Sequence, residues 1–295
     1  MSTITGTPGI DRLVGTNTTD VISGLAGDDL IIGSPGNDRI DGGDGFDTVD
    51  YSVSEEGLTV DLSITGPQDV ANGNNQTLTS IEAILGSRQD DILKGAAGPN
   101  AIYGGLGGDV ITDPGGTNYL RGEDGFDSIV GGADFDDING NQGNDTCVSG
   151  GGDDWVVGGK DNDSLVGSAG QNLVYGNLGN DTCEGGDGAD IVRGGQDNDL
   201  VNGGGGDDFV SGDRGDDTVT GGAGADVFHT FGDAGIDRVT DFSVAQGDRV
   251  QLDPGTVFNV SQSGADTVIN MTGGGQMVLV GVQMSSLTPG WIFGA

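Results

Sequence analysis

The feature that most constrains this chain is a period of nine. From Gly86 to His229 the sequence divides into sixteen consecutive nonamers with no insertion or deletion, as in 104-GGLGGDVIT, 122-GEDGFDSIV, 185-GGDGADIVR and 221-GGAGADVFH. Five more run from Gly6 to Asp50, including 24-GLAGDDLII and 42-GGDGFDTVD. A fixed period means stacked units, each unable to bury its apolar face alone. Glycines at the first, second and fourth places allow a sharp turn, the sixth place supplies a carboxylate, and residues seven to nine form a short strand. The central strand residue is apolar and points inward: Leu93, Ile111, Ile129, Leu165, Val201 and Val219 on one face, and Ile102, Leu120, Ile138, Val156, Val174, Val192, Val210 and Phe228 on the other.

Composition fits that reading. There are 62 glycines among 295 residues, and 47 acidic against 10 basic residues give a net charge of -37. All the acids are aspartate except Glu55, Glu56, Glu82, Glu123 and Glu184, which points to short carboxylates on tight turns. High glycine with high charge would mean disorder, but the strict period argues against it. The charge also argues against nucleic acid or an anionic membrane as partner. The complementary partner is cationic, and a small cation is the simplest. One apolar residue per nine is a thin core. Each buried side chain contributes roughly 1.5–3 kcal/mol, whereas ordering the backbone costs about 1–2 kcal/mol per residue, so a bound metal must supply the difference.

The pattern G-G-x-G-x-D-x-U-x, with U a large apolar residue, resembles the RTX (repeats-in-toxin) calcium-binding family over 189 residues. The resemblance implies an all-β fold: a parallel β-roll, a calcium-binding solenoid with two nonapeptides per turn, closed by a β-rich C-terminal cap. It divides the chain into a first repeat run (1–50), an insertion (51–85), a second run (86–229) and a cap (230–295). Calcium takes six to eight oxygen ligands, which facing loops could provide. The candidate metal residues are Asp11, Asp20, Asp29, Asp38 and Asp47 in the first run. In the second they are Asp91, Asp109, Asp127, Asp136, Asp145, Asp154, Asp163, Asp181, Asp190, Asp199, Asp208, Asp217 and Asp226. With one ion between successive loops on each edge, up to about seventeen calcium ions are expected.

The two edges of the second run differ. One carries Asp91, Asp109, Asp127, Asp145, Asp163, Asp181, Asp199 and Asp217; the other has Asn100, Asn118 and Asn172 among its aspartates. One edge is therefore expected to be fully loaded and the other interrupted. Cys147 and Cys183 fall on one face two layers apart, beyond the roughly 7 Å reach of a disulfide, and read as buried hydrophobes. In the insertion, residues 59–62 and 79–84 read as strands that continue the roll. Residues 66–76 read as a protruding polar loop and the best place for a specific binding surface.

After His229 the period ends. Segments 235–242 and 247–252 resemble those closing RTX rolls in serralysin-type exoproteins, which implies a cap and a signal for type I secretion. The chain ends Trp291-Ile-Phe-Gly-Ala, without the acidic residue usual there. No apolar run approaches the roughly 20 residues that span a bilayer, so membrane insertion is not expected. No cleavable N-terminal signal is visible. The expected location is extracellular or cell surface.

No G-x-S-x-G elbow or H-E-x-x-H helix occurs, and the single histidine, His229, reads as a strand-end surface residue, so no catalytic site is expected. The expected role is structural or adhesive, with a cell-surface glycan or a second copy of the chain as further candidate partners. The rivals are a self-assembling surface-layer or filament subunit and the accessory remnant of an RTX exoenzyme.

Overall fold

The computed structural model describes residues 1–294; Ala295, the last residue of the expected cap, lies outside the described residues. The architecture is all-β, and the one helical turn among the described residues is the 3-10 turn Met284–Ser286. Among the described residues no helix is long and apolar enough to cross a membrane. The chain forms two compact units, Met1–Gln142 and Gly143–Ala295, a division that falls inside the second repeat run.

In the first unit, one face stacks Arg12–Val14, Leu30–Ile32, Thr48–Asp50, Ala83–Leu85, Ala101–Leu106, Asn118–Asp124 and Asp136–Gln142 in parallel. The register step is eighteen residues, two nonamers per turn, as in Leu13↔Ile31 and Ile102↔Leu120. Across the insertion the step lengthens, with Val49 beside Ile84. The second face is in two pieces. Ser2–Thr5, Asp20–Ala26 and Arg39–Asp44 continue into Asn74–Thr79, while Thr59–Asp61 starts a new stack with Ile92–Lys94, Val110–Thr112 and Ser128–Val130.

The segment read as a polar loop is instead mostly a hairpin, with Gln68–Ala71 antiparallel to Asn74–Thr79. Its polarity misled because two of its glutamines are buried and bonded inward. Gln68 binds both backbone groups of Asp61, and Gln76 accepts the Tyr51 hydroxyl at 2.6 Å and donates to the Ser34 carbonyl. Beside Tyr51 the insertion and the first repeat run line a half-open pocket of about 400 Å³, with Val53, Leu58, Val70 and Pro35 among its walls.

In the second unit, one face runs from Trp155–Lys160 through Leu173–Leu178, Ile191–Gln196, Phe209–Arg214 and Val227–Thr230 to Arg249–Leu252 and Ile292–Phe293. The other runs from Thr146–Val148 through Ser164–Val166, Thr182–Asp187, Leu200–Gly205 and Thr218–Ala223 to Ile236–Val239. The inward residues named above are at most 2% exposed. Cys147 and Cys183 are buried and not joined in a disulfide, with Leu165 registered between them. The last layers are covered by an antiparallel meander of Gln276–Leu279, Asp266–Met271 and Phe258–Ser263. Phe242 packs on Phe228 and Trp291, with ring centroids 5.8 and 6.2 Å apart, and removes the final core from water.

Candidate metal centre

Stacking brings the sixth-position side chains into ladders. The backbone N–H of Asp91 donates to Asp109 Oδ1 of the next layer at 2.8 Å, and Asp163, Asp181 and Asp199 repeat this with Asp181, Asp199 and Asp217. Further such bonds join Asp109 to Asp127, Asp145 to Asp163, Asp190 to Asp208 and Asp208 to Asp226. In the first unit, Asp11, Asp29 and Asp47 form one ladder, and Asp20 and Asp38 another. Of the eighteen candidates, all but the half-buried Asp11 are buried.

The second carboxylate oxygen sorts the loops into two kinds. In Asp29, Asp47, Asp109, Asp163, Asp181, Asp190, Asp199, Asp208, Asp217 and Asp226, Oδ2 is buried and accepts no hydrogen bond. In the other kind, the loop closes on its own aspartate. Asp11, Asp20 and Asp91 accept the second-position N–H of Thr7, Thr16 and Ser87, Asp136 accepts that of Gly132, and Asp38 accepts the Ser34 hydroxyl. A buried carboxylate oxygen without a donor is costly unless a cation meets it.

Backbone carbonyls converge on the same point. A Cβ added to Gly203 would collide with Asp208 Oδ2 and lie 2.6 Å from the Gly221 carbonyl oxygen of the next layer; on Gly86 it would lie 2.6 Å from Asp91 Oδ2 and collide with the Gly104 carbonyl. The first position is glycine because a side chain would fill this oxygen-lined space. Among the described residues no three His, Cys, Asp or Glu side chains gather on one point. The donor set is thus one carboxylate oxygen with carbonyl oxygens, which suits a hard cation such as calcium.

Burial acts on these acids in the expected sense. Loss of hydration, against the ladder N–H and with neighbouring carboxylates adding, pushes Asp109 and Asp208 up to about 7 and Asp163 and Asp199 to about 8. Asp20, whose loop is closed by Thr16, is lowered chiefly by that backbone N–H.

A family model for the RTX calcium-binding nonapeptide repeat matches residues 5–39, 14–49, 81–112, 115–147, 148–183, 184–219 and 202–239, more than half of the chain. The chain belongs to this family. RTX repeats bind calcium, and RTX proteins are typically secreted. Among solved structures, the extracellular lipase LipA from Serratia marcescens is similar to the RTX chain at 18% identity with a TM-score of 0.34. The match covers 75% of this chain and 44% of the lipase chain, so the chain spans less than half the lipase's length. No curated protein matches the sequence.

Several ladder members of the RTX roll escaped the period. Glu82 accepts the Asp47 N–H at 2.8 Å, and Asp248 accepts that of Asp226 at 3.1 Å. Asp237 stands beside Asp217, where burial and that carboxylate raise it to about 8. The signal was the Asp–Arg pair at 237–238 and 248–249, each heading a strand, but spacings of 20 and 22 residues hid it. A second ladder uses fifth-position asparagines: Asn162, Asn180 and Asn198 donate backbone N–H groups to Asn144, Asn162 and Asn180 Oδ1 at 2.7–3.0 Å. It runs opposite to the aspartate ladder, so each loop is held from both sides. The recurring Asn-Asp dipeptide was its signal.

His229 is not the surface residue expected. Its side chain is 11% exposed, with Nδ1 3.3 Å from Ser211 Oγ and Nε2 3.1 Å from Asp253 Oδ1. Ser211 is fully buried and donates to Asp213 Oδ1 at 2.7 Å, so this Ser–His–Asp arrangement presents no accessible nucleophile.

Proposed function

We propose that this RTX chain is a structural or adhesive roll of the cell surface or extracellular matrix, folded by calcium and without catalytic activity. The observation that carries the reading is the row of buried, donorless Oδ2 atoms facing carbonyl oxygens on stacked loops. The candidates that would hold calcium through a carboxylate are the loops with that open oxygen. The five closed loops, at Asp11, Asp20, Asp38, Asp91 and Asp136, offer less, which lowers the count below the seventeen that spacing alone gives. When bound, the ion supplies positive charge to oxygens that otherwise repel one another. The chain itself supplies the ladder that orients each carboxylate and the glycine that leaves room beside it.

In low calcium the chain stays unfolded, a state suited to passage through a type I exporter, and millimolar calcium outside the cell then drives folding. The export signal is assigned to the segment after residue 229 by its resemblance to serralysin-type ends. Far-UV circular dichroism tests the proposal: EGTA abolishes the β signal and calcium restores it, whereas a spectrum indifferent to calcium contradicts it.

Self-association is favoured as a second reading by one outer stripe of the second unit. Trp155, Leu173, Ile191, Phe209 and Val227 follow one another in register, with Trp155 51% and Ile191 37% exposed. Light scattering that shows calcium-dependent growth in particle size supports it, and a monomer at all calcium concentrations removes it.

A further inference from the structure

One buried carboxylate lies outside the sixth-position ladders and their continuations. Asp113 opens the repeat Asp113-Pro-Gly-Gly-Thr-Asn, where the pattern has glycine, and is 4% exposed. Its Oδ1 accepts the Gly115 N–H at 3.1 Å, and its Oδ2 accepts no hydrogen bond. Burial, with the Asp136 charge adding and the Gly115 N–H and Asn118 opposing, raises it to about 7.

The direction of Oδ2 decides its meaning. A Cβ placed on Gly95 would collide with Asp113 Oδ2 and lie 2.8 Å from Asn100 Oδ1. On Gly86 or Gly203 the same atom meets the loop's own aspartate oxygen and the carbonyl of the next layer's first glycine. Asp113 therefore puts a carboxylate where other layers put a carbonyl, over the loop whose own sixth residue, Asn100, carries no charge. The other non-glycine first residue is Ser149, whose hydroxyl donates to the Gly167 carbonyl at 2.5 Å. A hydroxyl satisfies such a carbonyl by donating; an ionised carboxylate cannot, and it calls for a cation. Asn100 Oδ1 already accepts the Ala96 N–H at 2.8 Å, so the donorless oxygen over this loop is that of Asp113, with the Asn100 oxygen as a second, neutral ligand.

We propose that Asp113 Oδ2 and Asn100 Oδ1 together hold a calcium ion, in a site that the nonapeptide pattern does not encode. The edge interrupted by asparagine thereby keeps one more ion than its sixth positions imply. Both donors are oxygens, one charged, a set that suits a hard divalent cation. This inference rests on the calcium-loaded reading above.

Native mass spectrometry of the full chain, refolded in calcium and freed of excess ion, counts bound ions per molecule. Asp113→Asn is expected to carry one ion fewer than wild type. The variant Asp113→Gly, which restores the glycine of the pattern and removes the carboxylate, is expected to carry one ion fewer as well. If Asp113→Asn alone fails to fold, a folded Asp113→Gly with one ion fewer supports the site equally. An unchanged count in folded Asp113→Asn or in folded Asp113→Gly overturns it. A wild-type chain without bound calcium overturns the broader reading instead, so the two failures are distinguishable.

Discussion

The backbone N–H of Asp181 donates to Asp199 Oδ1 at 2.8 Å, while Asp199 Oδ2, buried beside Gly194, accepts no hydrogen bond. One side chain thus has two tasks, with one oxygen fixing the layer and the other left for a cation. Asp199→Asn keeps an acceptor for the ladder but replaces the second oxygen with an amide. It is expected to lose one calcium and to lower the calcium-loaded stability by about 1–3 kcal/mol, on the scale of one charged buried interaction. Asp91→Asn, in a loop already closed by Ser87, should leave the ion count unchanged. Ion counting and calcium-loaded denaturant unfolding check both variants, and equal losses at the two positions would remove the distinction between open and closed loops.

The metal-free roll should prefer acid. Asp181 and Asp226 are raised from 3.8 to about 6, Asp109 and Asp208 to about 7, and Asp163 and Asp199 to about 8, chiefly by burial. Between about pH 4 and 8 the folded chain then binds more protons than the unfolded one, so stability is present below about 4 and is lost as the pH rises towards 8. Calcium competes with those protons, so its apparent affinity should increase over the same interval. Circular dichroism of the calcium-stripped chain across this range measures the first trend; β signal that grows with pH would speak against it.

In the Asn172 loop an amide stands in place of the sixth-position carboxylate. Its Oδ1 accepts the Asp154 N–H at 3.0 Å, and its Nδ2 donates to the Gly185 carbonyl at 3.4 Å, giving that carbonyl a partner. Asn172→Asp removes the donor and adds a carboxylate. The variant is expected to bind one more calcium than wild type and to lose its β signal at a higher free calcium concentration than wild type as calcium is withdrawn. A native mass spectrum with the wild-type ion count contradicts this.

Glycine at the first position should be far less replaceable than glycine at an open turn. A Cβ on Gly203 would enter the space shared by Asp208 Oδ2 and the Gly221 carbonyl, so Gly203→Ala should lose calcium at that loop and destabilise the chain. Gly98 has nothing within 4 Å of the same atom, and Gly98→Ala should stay within about 0.5 kcal/mol of wild type. Thermal unfolding in calcium compares the two.

Phe228 closes the repeat core against Phe242 and is fully buried. Phe228→Ala is expected to cost about 3–5 kcal/mol in the calcium-loaded state, because the cavity adds to the lost burial. Denaturant unfolding measures it; a loss below about 1 kcal/mol would mean that the cap, not this ring, holds the end of the core.

Much of the site could be read without coordinates because a strict period converts position in the sequence into position on a loop. Asp109 and Asp127 had to lie one layer apart on one edge, and Leu165 had to separate Cys147 from Cys183. Where the period broke, the pattern was silent. Glu82, Asp237 and Asp248 join the ladders across steps other than eighteen residues. Gln68 and Gln76 looked like loop residues because polarity says nothing about whether a buried amide has partners.

By itself, then, the sequence determined the stacked roll, its inward apolar rows and the placing of one carboxylate per loop, since each follows from residue type at a fixed period. Only the tertiary structure decided which of those carboxylates keep an oxygen for a cation. That choice depends on whether the second-position backbone or side chain of the same loop reaches the aspartate, as Ser87 reaches Asp91 while no such bond reaches Asp109 Oδ2. It also decided that Asp113 enters a neighbouring layer's loop. Both are consequences of backbone direction and layer-to-layer contact, which composition and spacing do not carry.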